Sequence, residues 1–101
     1  MHQEYQFMAE FNLPGDLSEE FFELLPYQET VINKYLAQGK LVNYALSLDN
    51  ARMWAIFSAN SEVEVLEMLR EFPLTRFMEV HISLLSSYTT LSVAAPNFSL
   101  N

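Results

Sequence analysis

Four segments of the chain have the pattern of β-strands. In residues 5–13 and 79–88 apolar and polar side chains alternate, which is the period of a half-buried strand. Residues 41–48 and 52–59 are predominantly apolar and are separated by the turn-forming pair Asp49-Asn50. The pattern therefore predicts a strand near each end of the domain and a β-hairpin between them.

Two further segments have the spacing of amphipathic helices. Apolar side chains recur every three or four positions in residues 17–38 and again in residues 61–71. Pro26 lacks a backbone donor, so we expect it to kink the first helix or to divide it into two. Ser61 and Glu64 have the spacing of a capping box, which predicts the start of the second helix.

The order strand, helix, strand, strand, helix, strand predicts a ferredoxin-like α+β fold. Crossover connections within a sheet are right-handed, which places strands one and three at the centre of an antiparallel sheet with strand order 4-1-3-2. Both helices then cover the same face of the sheet. We expect one domain over residues 1–88, followed by a C-terminal tail at residues 89–101.

The second face of this sheet is predicted to be too apolar for a surface in water. The residues expected there are Met8, Asn43, Ala45, Trp54, Ile56 and Leu85. Because strand three is apolar on both sides, its pattern does not decide the face of Trp54. A second copy packed face to face would cover the patch, close a dimeric α+β barrel and leave the tail free to lie on the partner subunit.

Composition narrows the classes of function. The 101 residues include 13 acidic and 5 basic side chains, a net charge of −8, so no nucleic-acid partner is expected. Cysteine is absent and the two histidines are far apart in sequence, so no metal site is expected. No apolar run approaches the roughly 20 residues that span a bilayer, and no secretory signal is visible, so a cytoplasmic protein without a membrane partner is predicted.

Three pieces of the sequence carry a resemblance to a known family. They are Tyr5-Gln-Phe-Met-Ala-Glu-Phe-Asn-Leu-Pro14 at the first strand, Gly39 after the long helix, and Phe72-Pro-Leu-Thr-Arg-Phe-Met78 before the last strand. Together they resemble the muconolactone isomerase family. The resemblance covers about residues 5–85. It implies a homodimer with a shared barrel or a ring of such dimers, no cofactor and no metal. It also implies an isomerase that moves a double bond in a small unsaturated lactone by proton transfer.

Glu10 and His81 are the predicted catalytic pair. They belong to strands one and four, which are neighbours in the predicted sheet, and both fall at the same end of the face away from the helices. A carboxylate beside an imidazole in a partly dry pocket suits abstraction of a proton next to a carbonyl group. The alternative is a structural pair that is exposed at the edge of the sheet or held together by a hydrogen bond.

Five more residues on the same face are predicted to bind a substrate. Trp54 offers a ring for stacking, Asn43 and Ser83 offer hydrogen bonds, and Met8 and Ile56 offer apolar contact. Ordinary interface packing is the alternative. Two functions stay open: a cofactor-free isomerase acting on a small carbonyl or lactone compound, and a non-catalytic dimeric module that binds a small hydrophobic ligand or only assembles. A cofactor-independent oxygenase of the same fold is a third interpretation.

Overall fold

The computed structural model describes residues 4–87, and the predicted strands and helices are all present in this range. The strands are β1 (Tyr5–Asn12), β2 (Leu41–Ser47), β3 (Arg52–Ala59) and β4 (Glu79–Leu84). The helices are α1 (Glu19–Ala37) and α2 (Glu62–Leu69), and a 3-10 turn at Thr75–Phe77 precedes β4. The tail predicted at residues 89–101 lies outside the described residues.

The strands form one antiparallel sheet in the order β2-β3-β1-β4, which confirms the predicted ferredoxin-like topology. Its register is regular except in β2, where Leu41 pairs with Phe57 and Asn43 pairs with Ile56. Val42 is therefore an additional residue opposite β3, a β-bulge. The bulge reverses the alternation, so that Leu41 faces the helices and Asn43 faces the other side.

The hydrophobic core lies between the helices and one face of the sheet. Its buried side chains are Phe7, Ala9, Phe11, Leu13, Phe21, Ile32, Tyr35, Leu41, Met53, Ala55, Phe57, Ala59, Val65, Met68, Leu69, Phe72 and Leu74. The alternate positions of β1 that are apolar in the sequence are the ones that supply this core, because successive strand residues point to opposite faces. Burial of this apolar surface is the main force that holds both helices on the same side of the sheet.

Helix α1 continues through Pro26 as one helix, so its predicted division into two helices is wrong. Pro26 cannot donate a hydrogen bond to the carbonyl of Phe22. Both residues are exposed, however, so water can reach that carbonyl. The helix begins after Ser18, whose Oγ accepts a hydrogen bond of 3.1 Å from the backbone N–H of Phe21.

Helix α2 begins with the predicted cap. The Oγ of Ser61 accepts a hydrogen bond of 3.2 Å from the backbone N–H of Glu64. In return the Glu64 carboxylate accepts one of 2.7 Å from the backbone N–H of Asn60. The two bonds satisfy donors that a helix start leaves without partners, and they fix the end of β3 against α2. No helix within residues 4–87 is long and apolar enough to cross a membrane.

The face of the sheet opposite the helices is named the open face here. It consists of Gln6, Met8, Glu10 and Asn12 from β1, Asn43, Ala45 and Ser47 from β2, Arg52, Trp54, Ile56 and Ser58 from β3, and Glu79, His81 and Ser83 from β4. Leu85, just beyond β4, extends this face, and its backbone N–H donates a 2.9 Å hydrogen bond to the carbonyl of Gln6.

Candidate functional site

One row of the open face brings together the predicted catalytic pair and the tryptophan. In the register of the sheet Glu10 lies directly opposite His81 of β4 and, on its other side, directly opposite Trp54 of β3. Ala45 of β2 completes the row beyond Trp54. Side chains that are directly opposite on neighbouring strands share a face and lie within contact range of one another.

The next row contains the other predicted binding residues. Met8 lies opposite Ile56 on one side and opposite Ser83 on the other, and Asn43 lies opposite Ile56. The structure therefore places all seven predicted site residues in two adjacent rows of the open face. It also assigns Trp54 to this face, which the pattern of strand three had left undecided.

The site residues differ in their exposure to solvent. Ile56 is only 5% exposed, and Met8, Glu10 and Trp54 are half-buried. His81 is exposed, and within the described residues it forms no hydrogen bond or ion pair with Glu10. The carboxylate is therefore half-buried on the central strand β1, while the imidazole is exposed on the edge strand β4.

Polar residues border the two rows at either end. At one end the Nε2 of Gln6 donates a 2.8 Å hydrogen bond to the Oγ of Ser58. At the other end Arg52 lies opposite both Asn12 and Ser47, one row away from Glu10. Gln6 and Arg52 were not among the predicted site residues, although the alternation of β1 places Gln6 on this face.

The chemistry available on the open face is that of a carboxylate, an imidazole, an aromatic ring and several hydroxyl and amide groups. Within residues 4–87 no group of three or more histidine, aspartate or glutamate side chains could hold a metal ion. The face of a single sheet is a surface, so an enclosed pocket here needs a second layer above it. The pair Glu10 and His81 is suited to moving a proton.

The fold and these rows define a ferredoxin-like α+β protein with a candidate acid–base pair on its open sheet face. The sequence profile of a family described as muconolactone delta-isomerase matches residues 3–90. The chain belongs to this family, which confirms the resemblance seen in the sequence. No curated protein matches the chain in sequence.

Solved structures with the same fold include the crystal structure of muconolactone isomerase. It superposes with a TM-score of 0.65 at 15% identity, over 85% of this chain and 93% of that chain. At this identity the likeness shows a shared fold. The cofactor-independent oxygenase SnoaB from Streptomyces nogalater superposes with a TM-score of 0.48 at 17% identity, over 87% of this chain and 96% of its own. A dimeric ferredoxin-like protein from an uncultured marine organism superposes with a TM-score of 0.45 at 18% identity, over 89% and 95%.

Proposed function

We propose that two copies of this chain pack through their open faces and that the space between the sheets holds a small carbonyl or lactone compound. In this space Glu10 and His81 catalyse cofactor-free proton transfer, the isomerisation of a double bond. The observation that carries the proposal is the direct pairing of Glu10 with His81 and Trp54 across three strands. Membership of the muconolactone delta-isomerase family supports the same reaction type.

The reaction needs only one proton to move. The Glu10 carboxylate takes a proton from the carbon at the far end of the conjugated double bond, two bonds beyond the carbon next to the carbonyl group. The released electron pair moves through the double bond onto the carbonyl oxygen. A hydrogen bond from His81 stabilises the negative charge on that oxygen. Glu10 then delivers a proton to the carbon next to the carbonyl group, so the double bond shifts while no atom is gained or lost. In D₂O the proton held by Glu10 exchanges with solvent in a fraction of the turnovers, so deuterium enters at that carbon.

The surroundings of the pair fit a small, largely apolar substrate. Ile56 and Met8 give an apolar floor in the next row, and Trp54 offers a ring against which a flat lactone can stack. Asn43 and Ser83 lie at the two ends of that row, where they can orient polar groups of the substrate. A second sheet above these rows would exclude water and strengthen every electrostatic interaction with the reacting atoms.

A non-catalytic dimeric module that binds a small hydrophobic ligand is the second candidate. The observation in its favour is that Glu10 and His81 form no hydrogen bond with one another within the described residues. In that case the apolar rows would serve only as an interface or a ligand surface.

Deuterium exchange separates the two candidates. Muconolactone is incubated in D₂O with the protein, and NMR follows both the shift of the double bond and the entry of deuterium next to the carbonyl group. Wild-type protein is expected to catalyse both, and Glu10→Gln is expected to slow both by about 100-fold or more, because a positioned base contributes roughly 10²–10⁴-fold. His81→Gln is expected to slow them as well.

Glu79→Gln is the matched control. Glu79 lies on the same face and the same edge strand, one row away from His81, and its replacement removes the same charge. Its rate is expected to stay within about twofold of wild type, since surface substitutions away from the reacting atoms have small effects. Equal rates for Glu10→Gln and wild type would remove Glu10 from the mechanism, and binding without a shift of the double bond would favour the non-catalytic module.

A further inference from the structure

A groove on the helix side of the sheet, opposite the open face, is lined by apolar and basic side chains. It lies between the end of α2, the 3-10 turn and β4, and its volume is about 470 Å³. Leu66, Phe72, Pro73 and Val80 line it, and Leu66 is 40% exposed. Pockets for small molecules typically have volumes of roughly 300–1,000 Å³ and apolar walls. Val80 lies opposite Phe11 of the core, so the groove is on the helix side and separate from the open face.

Two arginines, Arg70 and Arg76, line this groove, and no acidic residue is among its lining side chains. They are two of only five basic residues in a chain with a net charge of −8. The Arg70 guanidinium forms no ion pair with any residue from 4 to 87. Two of the few positive charges of this acidic protein therefore lie beside the apolar groove.

Arg76 keeps donors available for a ligand. One of its terminal nitrogens donates a hydrogen bond of 2.8 Å to the Glu20 carboxylate. The side chains of Arg76 and Glu20 are 60% and 61% exposed, and an exposed ion pair of this kind contributes little. A guanidinium has five N–H donors, so an incoming carboxylate can bind beside Glu20 or replace it. The hydroxyl of Thr75, also on the groove wall, is buried and has no hydrogen-bond partner within the described residues.

We propose that this groove binds a hydrophobic carboxylate, with the apolar chain of the ligand along Leu66, Phe72 and Val80 and its carboxylate held by Arg70 and Arg76. Arginine suits this role because its planar fork matches the two oxygens of a carboxylate. The apolar wall selects for a hydrocarbon or aromatic body rather than for a simple inorganic anion. The site is independent of the proposed reaction, because its residues lie on the other side of the sheet from Glu10.

An NMR titration with sodium decanoate tests the site. In ¹H–¹⁵N spectra the backbone signals of the groove residues are expected to shift with decanoate, while uncharged decanamide at the same concentration shifts them much less. Arg70→Gln combined with Arg76→Gln is expected to weaken decanoate binding by about tenfold or more, since both charge-assisted hydrogen bonds are lost. Lys34→Gln combined with Lys40→Gln removes the same charge from a polar hollow elsewhere and is expected to leave the affinity within about twofold of wild type.

Glu20 gives a second readout that a merely structural role of the arginines would not change. Glu20→Gln frees Arg76 from its described carboxylate partner and is expected to tighten decanoate binding by more than the matched variant Glu19→Gln does. Glu10→Gln is expected to leave decanoate binding unchanged, which separates this site from the proposed reaction.

Three results would overturn the proposal. They are equal binding of decanoate by wild type and by the double arginine variant, shifts confined to the open face, and shifts that depend on protein concentration but not on decanoate. The last result would assign the groove to a contact between copies of the chain.

Discussion

A single buried amide, that of Gln28, connects the first helix to the segment that leads into the last strand. Gln28 is 1% exposed, and its Oε1 accepts a hydrogen bond of 3.1 Å from the backbone N–H of Leu74. Leu74 is 1% exposed as well, so water does not reach this N–H group. In the sequence Gln28 looks like any polar residue of an amphipathic helix. Its role follows from a contact 46 positions away along the chain, and helical periodicity carries no information about such a contact.

Replacement of Gln28 by methionine is expected to lower the free energy of unfolding by about 1–3 kcal/mol, the usual cost of leaving a buried donor without a partner. Methionine has nearly the same length, so the packing is largely kept. Urea unfolding followed by circular dichroism measures the change. Gln38→Met, at the exposed end of α1, is the control and is expected to change stability by less than about 0.5 kcal/mol. Equal stability of the two variants would show that the amide contributes nothing.

A polar cluster joins α1 to the segment that follows α2. The Nζ of Lys34 lies 2.7 Å from the Oε1 of Glu71, and the hydroxyl of Tyr35 donates a hydrogen bond to the other carboxylate oxygen. The ring of Tyr35 stacks on that of Phe72 with centroids 5.9 Å apart. Burial, together with the bond to Glu71, raises the pKa of Tyr35 to about 12. The hydrogen bonds from Lys34 and then Tyr35 lower the pKa of Glu71.

These two shifts give stability a predicted pH dependence with opposite signs. The unfolded chain loses the Tyr35 proton near pH 10.0 while the folded chain keeps it to about pH 12, so stability is expected to fall as pH rises between these values. At acid pH the Glu71 carboxylate stays charged to a lower pH in the folded chain than in the unfolded chain. Its contribution to stability is therefore lost as pH falls below the usual glutamate pKa of 4.5.

Thermal unfolding between pH 8 and 12 checks the alkaline arm. Tyr35→Phe is expected to remove part of the decrease in Tm above pH 10, because the group that titrates is gone. Tyr27→Phe is the control, since Tyr27 is 66% exposed and is expected to leave the pH profile of Tm as in wild type. Identical profiles for Tyr35→Phe and wild type would contradict the role of the cluster.

Much of the fold of the molecule follows from the sequence. Alternation in β1 separates core residues from the open face, and right-handed crossovers then fix the strand order. The juxtaposition of Glu10 with His81 follows from these two facts. The side of Trp54 does not, because β3 is apolar on both faces and only its register against Glu10 decides it. The β-bulge at Val42 could not be predicted from the sequence either, because no glycine or proline marks it.

The groove between α2 and β4 could not be predicted from the sequence. Arg70 and Arg76 come from the end of α2 and from the 3-10 turn, and Val80 comes from β4. No spacing pattern connects residues from three different elements. Only the packing of the helix against the sheet brings them to one place, and so a site of this kind is found in a structure and missed in a sequence.

Sedimentation equilibrium measures whether a second copy of the chain covers the open face. Wild-type protein is expected to sediment with at least twice the mass of one 11.7 kDa chain. Met8→Lys places a charge in the middle of the open face and is expected to give single chains, because an unpaired charge in an apolar interface is costly. Val63→Lys, at a 62% exposed position of α2, is expected to keep the wild-type mass. Wild-type protein sedimenting as one chain, or Met8→Lys associating as wild type does, would show that the open face is not covered by a second copy.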